Sequence, residues 1–367
     1  MKILHVVENL NIGGLERLVV NLVKQHKSEG HDLMVVCLFS KGDLANELET
    51  MDVNVVACNK NVGVDFFFVK KLRRTIVQYK PDIIHTHNAM SHYYSVLATL
   101  LLSNKIINTR HGMGLNPYSR KREILYKLTW PLTAHYVAVA KFAHAGYLSR
   151  KVFPPNKSSV VYNSIDIESI TRKNDDSKKS FTNKYNIPKE SFIYGMVSRF
   201  SNVKDHRTLV YAFKKIANSF SNAVLVLIGD GEEFNNIKNL IDNLQLENNV
   251  LMLGERQGAS KYLQYFDVFI LSTKTEGYSM ALLEASAAGL PLIATNVGGN
   301  SEIITSNYNG YLVKQNDPDD LAQAMRCVVD DADNLNRISL NSFEWANNNA
   351  TLTKCASEYM KIYKQII

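Results

Sequence analysis

Residues Met1–Lys27, MKILHVVENLNIGGLERLVVNLVKQHK, fall into three pieces. Ile3–Val7 is a short β-branched apolar run, Glu8–Gly14 is a polar loop ending in two glycines, and Leu15–Lys27 carries apolar residues at helical spacing. A buried strand, a glycine turn and an amphipathic helix make one β–loop–α unit. The alternation recurs downstream, with strands predicted near Leu33–Leu38, Val53–Ala57, Asp82–His85, Lys105–Asn108 and Tyr136–Val139 and a helix over Phe66–Tyr79. Asp166–Pro188 is polar with few large apolar residues, and after it the pattern starts again. Its strands are predicted at Phe192–Val197, Val224–Ile228, Val250–Leu253, Val268–Leu271 and Leu292–Ala294, and its helices at Asp205–Phe220, Phe234–Leu244, Met280–Ala288 and Asp317–Val329. The predicted fold class is therefore α/β, two tandem Rossmann-like domains facing across a cleft. We expect the first domain over residues 1–165, a linker over 166–188, the second domain over 189–345, and a C-terminal helix, 346–367, packing back on the first domain.

Composition agrees with a soluble globular protein of two domains: 367 residues, 46% hydrophobic and 21% charged. Cys37, Cys58, Cys327 and Cys355 are far apart with no C-x-x-C, which argues against a disulfide framework or structural zinc and favours a reducing compartment. Glu8 interrupts the first apolar run too early for a signal-peptide core. Ser95–Ser103 falls short of the ~20 apolar residues that cross a bilayer.

The net charge of +7 is unevenly spread: Met1–Ile165 holds 21 Lys+Arg against 11 Asp+Glu, and the remainder 21 against 24. Lys105–Lys157 concentrates ten basic residues with one acid, Glu123, and mixes in Tyr118, Leu125, Tyr126, Leu128 and Trp130. Such a segment suits an anionic membrane surface, at about 1 kcal/mol per basic residue near the lipid. Nucleic acid is the rival partner and is not adopted; solvated helix faces are the plain alternative.

The loops after strands carry the candidate chemistry. Gly13 and Gly14 can bring backbone amides close to an anion at a helix start, although a Gly-Gly turn is also ordinary turn chemistry. Ile228–Glu232, IGDGE, opens like a dinucleotide fingerprint, but Phe234 takes the place of the third glycine, and no Gly-Lys pair exists for a P-loop. Arg199 and Lys204 follow a strand, where fixed cations could neutralise a departing diphosphate. Glu276 lies in a loop and Glu284 two turns on in the next helix, so one carboxylate can meet a sugar and the other a ribose diol; a dipole partner plus a helix-face glutamate is the bland alternative. Val297–Glu302, VGGNSE, repeats the glycine-pair arrangement. His85 and His87 form an H-x-H without accompanying carboxylates, so packed or loop histidines are the default and zinc is not expected. His111 follows a strand and precedes Gly112, and is the better functional candidate. Asp331-Ala332-Asp333 has the form of a metal-binding D-x-D but reads as solvated surface.

Assembled, these residues resemble a family 4 glycosyltransferase of the GT-B fold, of the retaining, bacterial surface-polysaccharide type. The resemblance rests on Gly13-Gly14-Leu15-Glu16, His111-Gly112, Asn163–Asp166 (NSID), Arg199 with Lys204, and above all Glu276–Glu302, EGYSMALLEASAAGLPLIATNVGGNSE, which is similar to the family's E-x7-E motif and glycine pair. It departs at Ser164, where the family usually has Gly, and at His206, where a Lys-Gly pair often follows Asp205.

The resemblance implies that the first domain takes the acceptor and the second the nucleotide-sugar donor. Arg199 and Lys204 would hold the diphosphate, Glu284 the ribose, and Glu276 with Gly277, Tyr278 and Ser279 the transferred sugar. Gly13 and Gly14 would add amides to the diphosphate, His111 would contact the sugar near the reaction centre, and Arg256 would border the base. The implied enzyme is a metal-independent, retaining hexosyltransferase with no cofactor, using a UDP-sugar in preference to a GDP-sugar. Its implied acceptor is a lipid-linked glycan or similar molecule in polysaccharide or lipopolysaccharide synthesis, reached from the cytoplasmic face of the membrane. A sugar-nucleotide epimerase or a phosphorylase on the same fold is the alternative. A dehydrogenase lacks its third glycine, and a catalytically dead scaffold would not need Glu276.

Overall fold

The computed structural model describes residues 1–63, 65–112, 120–172 and 175–367. Two compact units divide the chain: Met1–Ile165 with Leu352–Ile367, and Asp166–Thr351.

The first unit contains strands β1 (Lys2–Val7), β2 (Asp32–Cys37), β3 (Asn54–Ala57), β4 (Ile83–His87), β5 (Lys105–Arg110), β6 (His135–Ala138) and β7 (Ser158–Val160). Between them run α1 (Gly14–Ser28), α2 (Ala45–Glu49), α3 (Phe66–Tyr79), α4 (Asn88–Ala98), α5 (Arg120–Leu128) and α6 (Lys141–Ser149). The strands form one parallel sheet in the order β3-β2-β1-β4-β5-β6-β7. Alternate strand residues face opposite ways. Ile3 and Val7, Val35 and Cys37, Ile83 and Ile107 pack with α1, while Leu4 and Val6, Val36, Ile84 and Ile106 pack under Phe68, Leu72 and Ile76 of α3.

In the second unit α7 (Asp175–Lys184) precedes β8 (Phe192–Val197), α8 (His206–Ala217), β9 (Ala223–Ile228), α9 (Phe234–Asn243), β10 (Val250–Gly254), β11 (Val268–Leu271), α10 (Met280–Ala287), β12 (Leu292–Thr295), β13 (Gly310–Val313), α11 (Pro318–Val329) and α12 (Ala332–Asn349). Its sheet is parallel, in the order β10-β9-β8-β11-β12-β13. Taken in chain sequence this is the 3-2-1-4-5-6 order of a doubly wound nucleotide fold. Being covered on both faces, β9 is apolar and buried along its whole length.

Three expectations change. Residues 166–188 are not a linker: they belong to the second unit and contain α7. Phe181 supplies the reason, because it is buried and stacks on Tyr265, while Lys178 reaches the buried Asp267 at 2.5 Å. The expected C-terminal helix over 346–367 starts later, because α12 runs on to Asn349, and α13 (Leu352–Ile366) joins the first unit. Cys355, Tyr359, Ile362 and Tyr363 make the buried stripe of α13, at helical spacing. The second unit therefore runs to Thr351, past the expected limit at residue 345.

Candidate active site

The second sheet reverses its winding between β8 and β11, and loops leaving a switch point at the carboxyl ends of strands are where such sheets bind ligands. The loop after β8 carries Arg199 and Lys204, and the loop after β11 carries Glu276. Strand adjacency makes them meet: Lys204 Nζ lies 2.5 Å from Glu276 Oε2, with side chains 24% and 18% exposed. Charge-assisted contacts of this kind are the strong ones.

Backbone bonds hold the cation loop against the carboxylate loop. The Val203 carbonyl accepts from Lys274 N at 2.7 Å and from Thr273 Oγ1 at 3.1 Å, and Ser272 Oγ donates to the Asp205 carbonyl at 3.0 Å. Asp205 takes a left-handed φ of 47° and caps α8 by accepting from Thr208 N at 3.4 Å, while its other carboxylate oxygen accepts from Thr208 Oγ1 at 2.7 Å. His206 is buried, stacks on Phe200 with centroids 4.0 Å apart, and places Nε2 3.2 Å from Ser198 Oγ. Burial first, and Lys204 second, push its pKa down to about 3, so a neutral ring underlies the loop. In the sequence His206 stood out only as a departure from the family pattern; the structure makes it a support of the Arg199–Lys204 loop.

Arg199 points elsewhere, to Glu232 at 3.0 Å in a pair 73% and 54% exposed. An exposed pair contributes about 0–1 kcal/mol. Of the two expected cations, Lys204 is thus the one that meets Glu276. The glycines of IGDGE serve close packing. Gly229 and Gly231 have φ of 138° and 153°, and a Cβ on them would lie 2.0 Å from the Ser198 carbonyl oxygen and 2.3 Å from that of Phe200. Phe200 N donates to the Asp230 carbonyl at 2.9 Å, and Glu233 N to the Phe200 carbonyl at 3.0 Å.

The Glu276 carbonyl accepts from Gly299 N at 3.4 Å, so the second glycine pair braces this loop. Gly277, Tyr278 and Ser279 are buried, and Ser279 Oγ caps α10 by accepting from Leu282 N at 3.3 Å. Glu284 is half-buried on α10. Arg256 is exposed after β10, at the same carboxyl edge but two strands from β8. Asp331 of the D-x-D caps α12, accepting from Asn334 N at 3.0 Å.

In the first unit the switch point lies between β1 and β4. Gly13 is the extended cap of α1 and Gly14 its first residue. Glu16 folds back over this start, its Oε2 2.3 Å from where a Cβ on Gly13 would sit. Burial raises the Glu16 pKa, its own backbone N–H opposes this, and Glu8 adds to the rise.

His111 follows β5. Its backbone N donates to Asn88 Oδ1 at 3.2 Å, and its Nε2 lies 3.1 Å from His87 Nδ1. Burial pushes its pKa down to about 4, against a hydrogen bond with the Asn163 side chain, and the ring is neutral at pH 7. His85 and His87 share a face of β4, and the register sets His5 beside His85. Among the described residues, His5, His85 and His87 are the group that brings one ligand atom each within 4.8 Å. Five of their six nitrogens are already engaged: His5 Nδ1 with His87 Nε2 at 3.1 Å, His87 Nδ1 with His111, His85 Nδ1 with Tyr363 OH at 2.7 Å and His85 Nε2 with Thr109 Oγ1 at 2.8 Å. Sequence reasoning missed His5 and Asn88 and marked Asn163 only as part of the NSID motif; the spacing of His5 with Ile3 and Val7 in β1 signalled the shared face.

Residues 12–169 match the family Glycosyltransferase Family 4, and residues 177–345 match Glycosyl transferases group 1. Two doubly wound units with charged loops at a switch point, together with these matches, define a glycosyltransferase of the GT-B class. The chain belongs to glycosyltransferase family 4. It is 27% identical to the UDP-Gal:alpha-D-GlcNAc-diphosphoundecaprenol alpha-1,3-galactosyltransferase of Escherichia coli, over 90% of this chain and 88% of that one. It is 28% identical to the N-acetyl-alpha-D-glucosaminyl L-malate synthase of Bacillus anthracis, over 97% and 95%. Its structure resembles a glycosyltransferase from Rickettsia africae ESF-5, with TM-score 0.86 and 25% identity over 100% and 98% of the chains. It also resembles Anabaena HepE in complex with UDP-glucose, with TM-score 0.88 and 19% identity over the full length of both.

Proposed function

We propose that this glycosyltransferase is a retaining, metal-independent hexosyltransferase. It moves a sugar from a nucleotide sugar, UDP-linked in preference to GDP-linked, to a lipid-linked glycan or similar acceptor in cell-surface polysaccharide synthesis. The observation that carries the reading is the Lys204–Glu276 pair at the switch point of the second sheet. A fixed ammonium beside a carboxylate, preorganised on two strand ends, suits a diphosphate and the hydroxyls of the sugar attached to it. Arg199 joins Lys204 on the diphosphate by leaving its weak surface pair, Gly13 and Gly14 add amides, and Glu284 takes the ribose. Gly277, Tyr278 and Ser279 line the sugar and phosphate, Arg256 the base, and His111 the sugar.

In the reaction the bond from C1 of the sugar to the phosphate oxygen breaks, and a bond from C1 to the acceptor oxygen forms on the same face. The acceptor proton passes to the departing phosphate. Fixed cations and amides neutralise that phosphate, which is the work a divalent ion does elsewhere.

The E. coli relative, named for a diphosphoundecaprenol-linked acceptor, supports the lipid-linked substrate. An anionic membrane surface is the further partner, met at the cytoplasmic face. Among the described residues no helix is long and apolar enough to cross a membrane. Ile124, Leu125 and Leu128 of α5 are nevertheless 56%, 52% and 68% exposed, in the same helix as Lys127. Arg110 and Arg150 of the basic stretch are used internally, both on Tyr147. Tyr118 lies outside the described residues.

A panel of UDP- and GDP-sugars tests the donor. A bound donor at a hundred times its Kd stabilises the protein by about 2.7 kcal/mol. The stabilising donor should transfer its sugar with retained configuration and undiminished rate in excess chelator. Inverted product, or transfer abolished by chelator and restored by magnesium, would refute the proposal.

A further inference from the structure

Three consecutive phenylalanines open α3, and helical geometry turns one of them to the sheet. Phe68 is that one, buried and edge-on to Tyr94 with ring centroids 4.9 Å apart. Phe66 and Phe67 are 75% and 86% exposed, and Val62 in the preceding loop is fully exposed. The first turn of a helix favours acidic residues, so two aromatic rings there meet no need of the helix itself. Single apolar side chains on a surface are ordinary, whereas Val62, Phe66 and Phe67 come as a group.

The backbone beneath them is secured so that they stay out. Lys60 is buried, and its Nζ donates to the carbonyls of Asn61 at 2.6 Å and Gly63 at 2.7 Å while lying over the rings of Phe39 and Tyr94. Tyr94 OH donates to the Gly63 carbonyl at 3.0 Å. The buried Asp65 closes the other side, one carboxylate oxygen accepting from Asn61 N and the other from Phe68 N, each at 2.9 Å. A loop tied this way on both flanks of Val62 does not fold its apolar side chain back.

Charge and position point to what meets the group. Helix α3 carries Lys70, Lys71, Arg73 and Arg74 and no acid. Arg73 is used internally, on the Ala98 and Leu100 carbonyls, but Lys70, Lys71 and Arg74 are exposed. Exposed aromatic rings followed by cations match a lipid interface, with rings at the acyl boundary and cations among the phosphates. The loop leaves the carboxyl end of β3, the edge strand of the first sheet, so it stands at a corner of the edge where such sheets take ligands. Helix α5 follows β5, four strands along that sheet and so roughly 19 Å away, which makes this a separate point of contact.

We propose that Val62, Phe66 and Phe67 insert into the acyl boundary of an anionic bilayer while Lys70, Lys71 and Arg74 meet its phosphates. This rests on the membrane partner of the reading above and gives it a place. The carboxyl edge of the first sheet is brought to the lipid surface, where a lipid-linked acceptor presents its head group.

The test uses the full chain with vesicles of phosphatidylcholine, alone or mixed with phosphatidylglycerol. Phe66→Trp, read against the parent with its own Trp130 and Trp345, should be quenched by bromine carried on the acyl chains of the mixed vesicles. Phe66→Ser with Phe67→Ser should melt with the parent, since both rings are exposed, and bind mixed vesicles at least tenfold more weakly. Lys70→Glu with Arg74→Glu should lose at least tenfold at low ionic strength. Unchanged binding in either pair overturns the proposal. So does a parent dimer that the phenylalanine pair converts to monomer while vesicle binding is unaltered, which would assign the face to a second copy. A parent that binds while Phe66→Trp stays unquenched overturns this placement and leaves the membrane partner standing; a parent that binds neither vesicle removes both. None of these measurements needs turnover, so transfer assays of Glu276→Gln decide the transferase reading separately.

Discussion

Glu276→Gln separates chemistry from folding. The change keeps the shape of the side chain and an oxygen acceptor for Lys204, and removes the negative charge from a contact of 2.5 Å in which both side chains are less than a quarter exposed. Two unit charges about 4 Å apart attract by about 4 kcal/mol at an effective dielectric of 20, but desolvation offsets most of this. Hydrogen bonds to charged groups retain about 1.5–3 kcal/mol, of which the amide keeps part, so we expect a loss of about 1–2 kcal/mol. For a unit of this size that is a fall in Tm of about 3–6 °C, too little to unfold it at 25 °C. If the carboxylate also meets the transferred sugar as charge develops, kcat should fall about 10²–10³-fold, or about 2.7–4 kcal/mol of barrier. The assay is nucleotide release with the donor selected by the sugar panel, alongside circular dichroism and a thermal melt. A variant whose Tm drops as expected but which turns over within threefold of the parent would place the chemistry away from Glu276.

Further outcomes follow from burial, backbone strain and surface composition. His5, His111 and His206 have folded pKa values of about 3, 4 and 3, below the 6.5 of the unfolded chain, so the unfolded state binds more protons between those limits. Their stabilisation is complete above about pH 6.5 and lost as pH falls toward 3–4, by up to about 1.4 kcal/mol per pH unit for each ring. Melts at pH 7.5 and 5.0 should differ accordingly, and His206→Phe should flatten the dependence; equal Tm at both pH values would contradict it. Gly231→Ala forces a Cβ to within 2.3 Å of the Phe200 carbonyl at φ 153°, and should lower stability by about 2–3 kcal/mol in a melt. Gly146→Ala, in α6 with nothing within 4 Å, should be neutral or stabilising in the same assay. Co-sedimentation with anionic vesicles should fall at least tenfold in a Leu125→Glu, Leu128→Glu double variant, and equal parental binding to neutral vesicles would remove the membrane reading.

Much of the architecture could be read because its signals are local. β8 and β11 are apolar runs whose neighbours are turn residues, and α3 shows its period over fourteen residues, so all three emerge with the predicted bounds. β7 (SSV) and β13 (GYLV) gave less: neither is a continuous apolar run, and only sheet pairing makes them strands. The polar residues of α7 concealed a helix because one aromatic, Phe181, does its anchoring against residues far along the chain.

The chain's own order of residues determined two alternating α/β blocks and a set of charged and glycine-rich loops after strands, since hydrophobic period and turn chemistry act over a few neighbours. Which of those loops share an edge was decided by strand order alone. Lys204 and Glu276 stand 72 residues apart and meet because β8 lies beside β11. His5, His87 and His111 fall into file because β1, β4 and β5 are adjacent with matching register. Parallel pairing is long-range, and no local pattern encodes it.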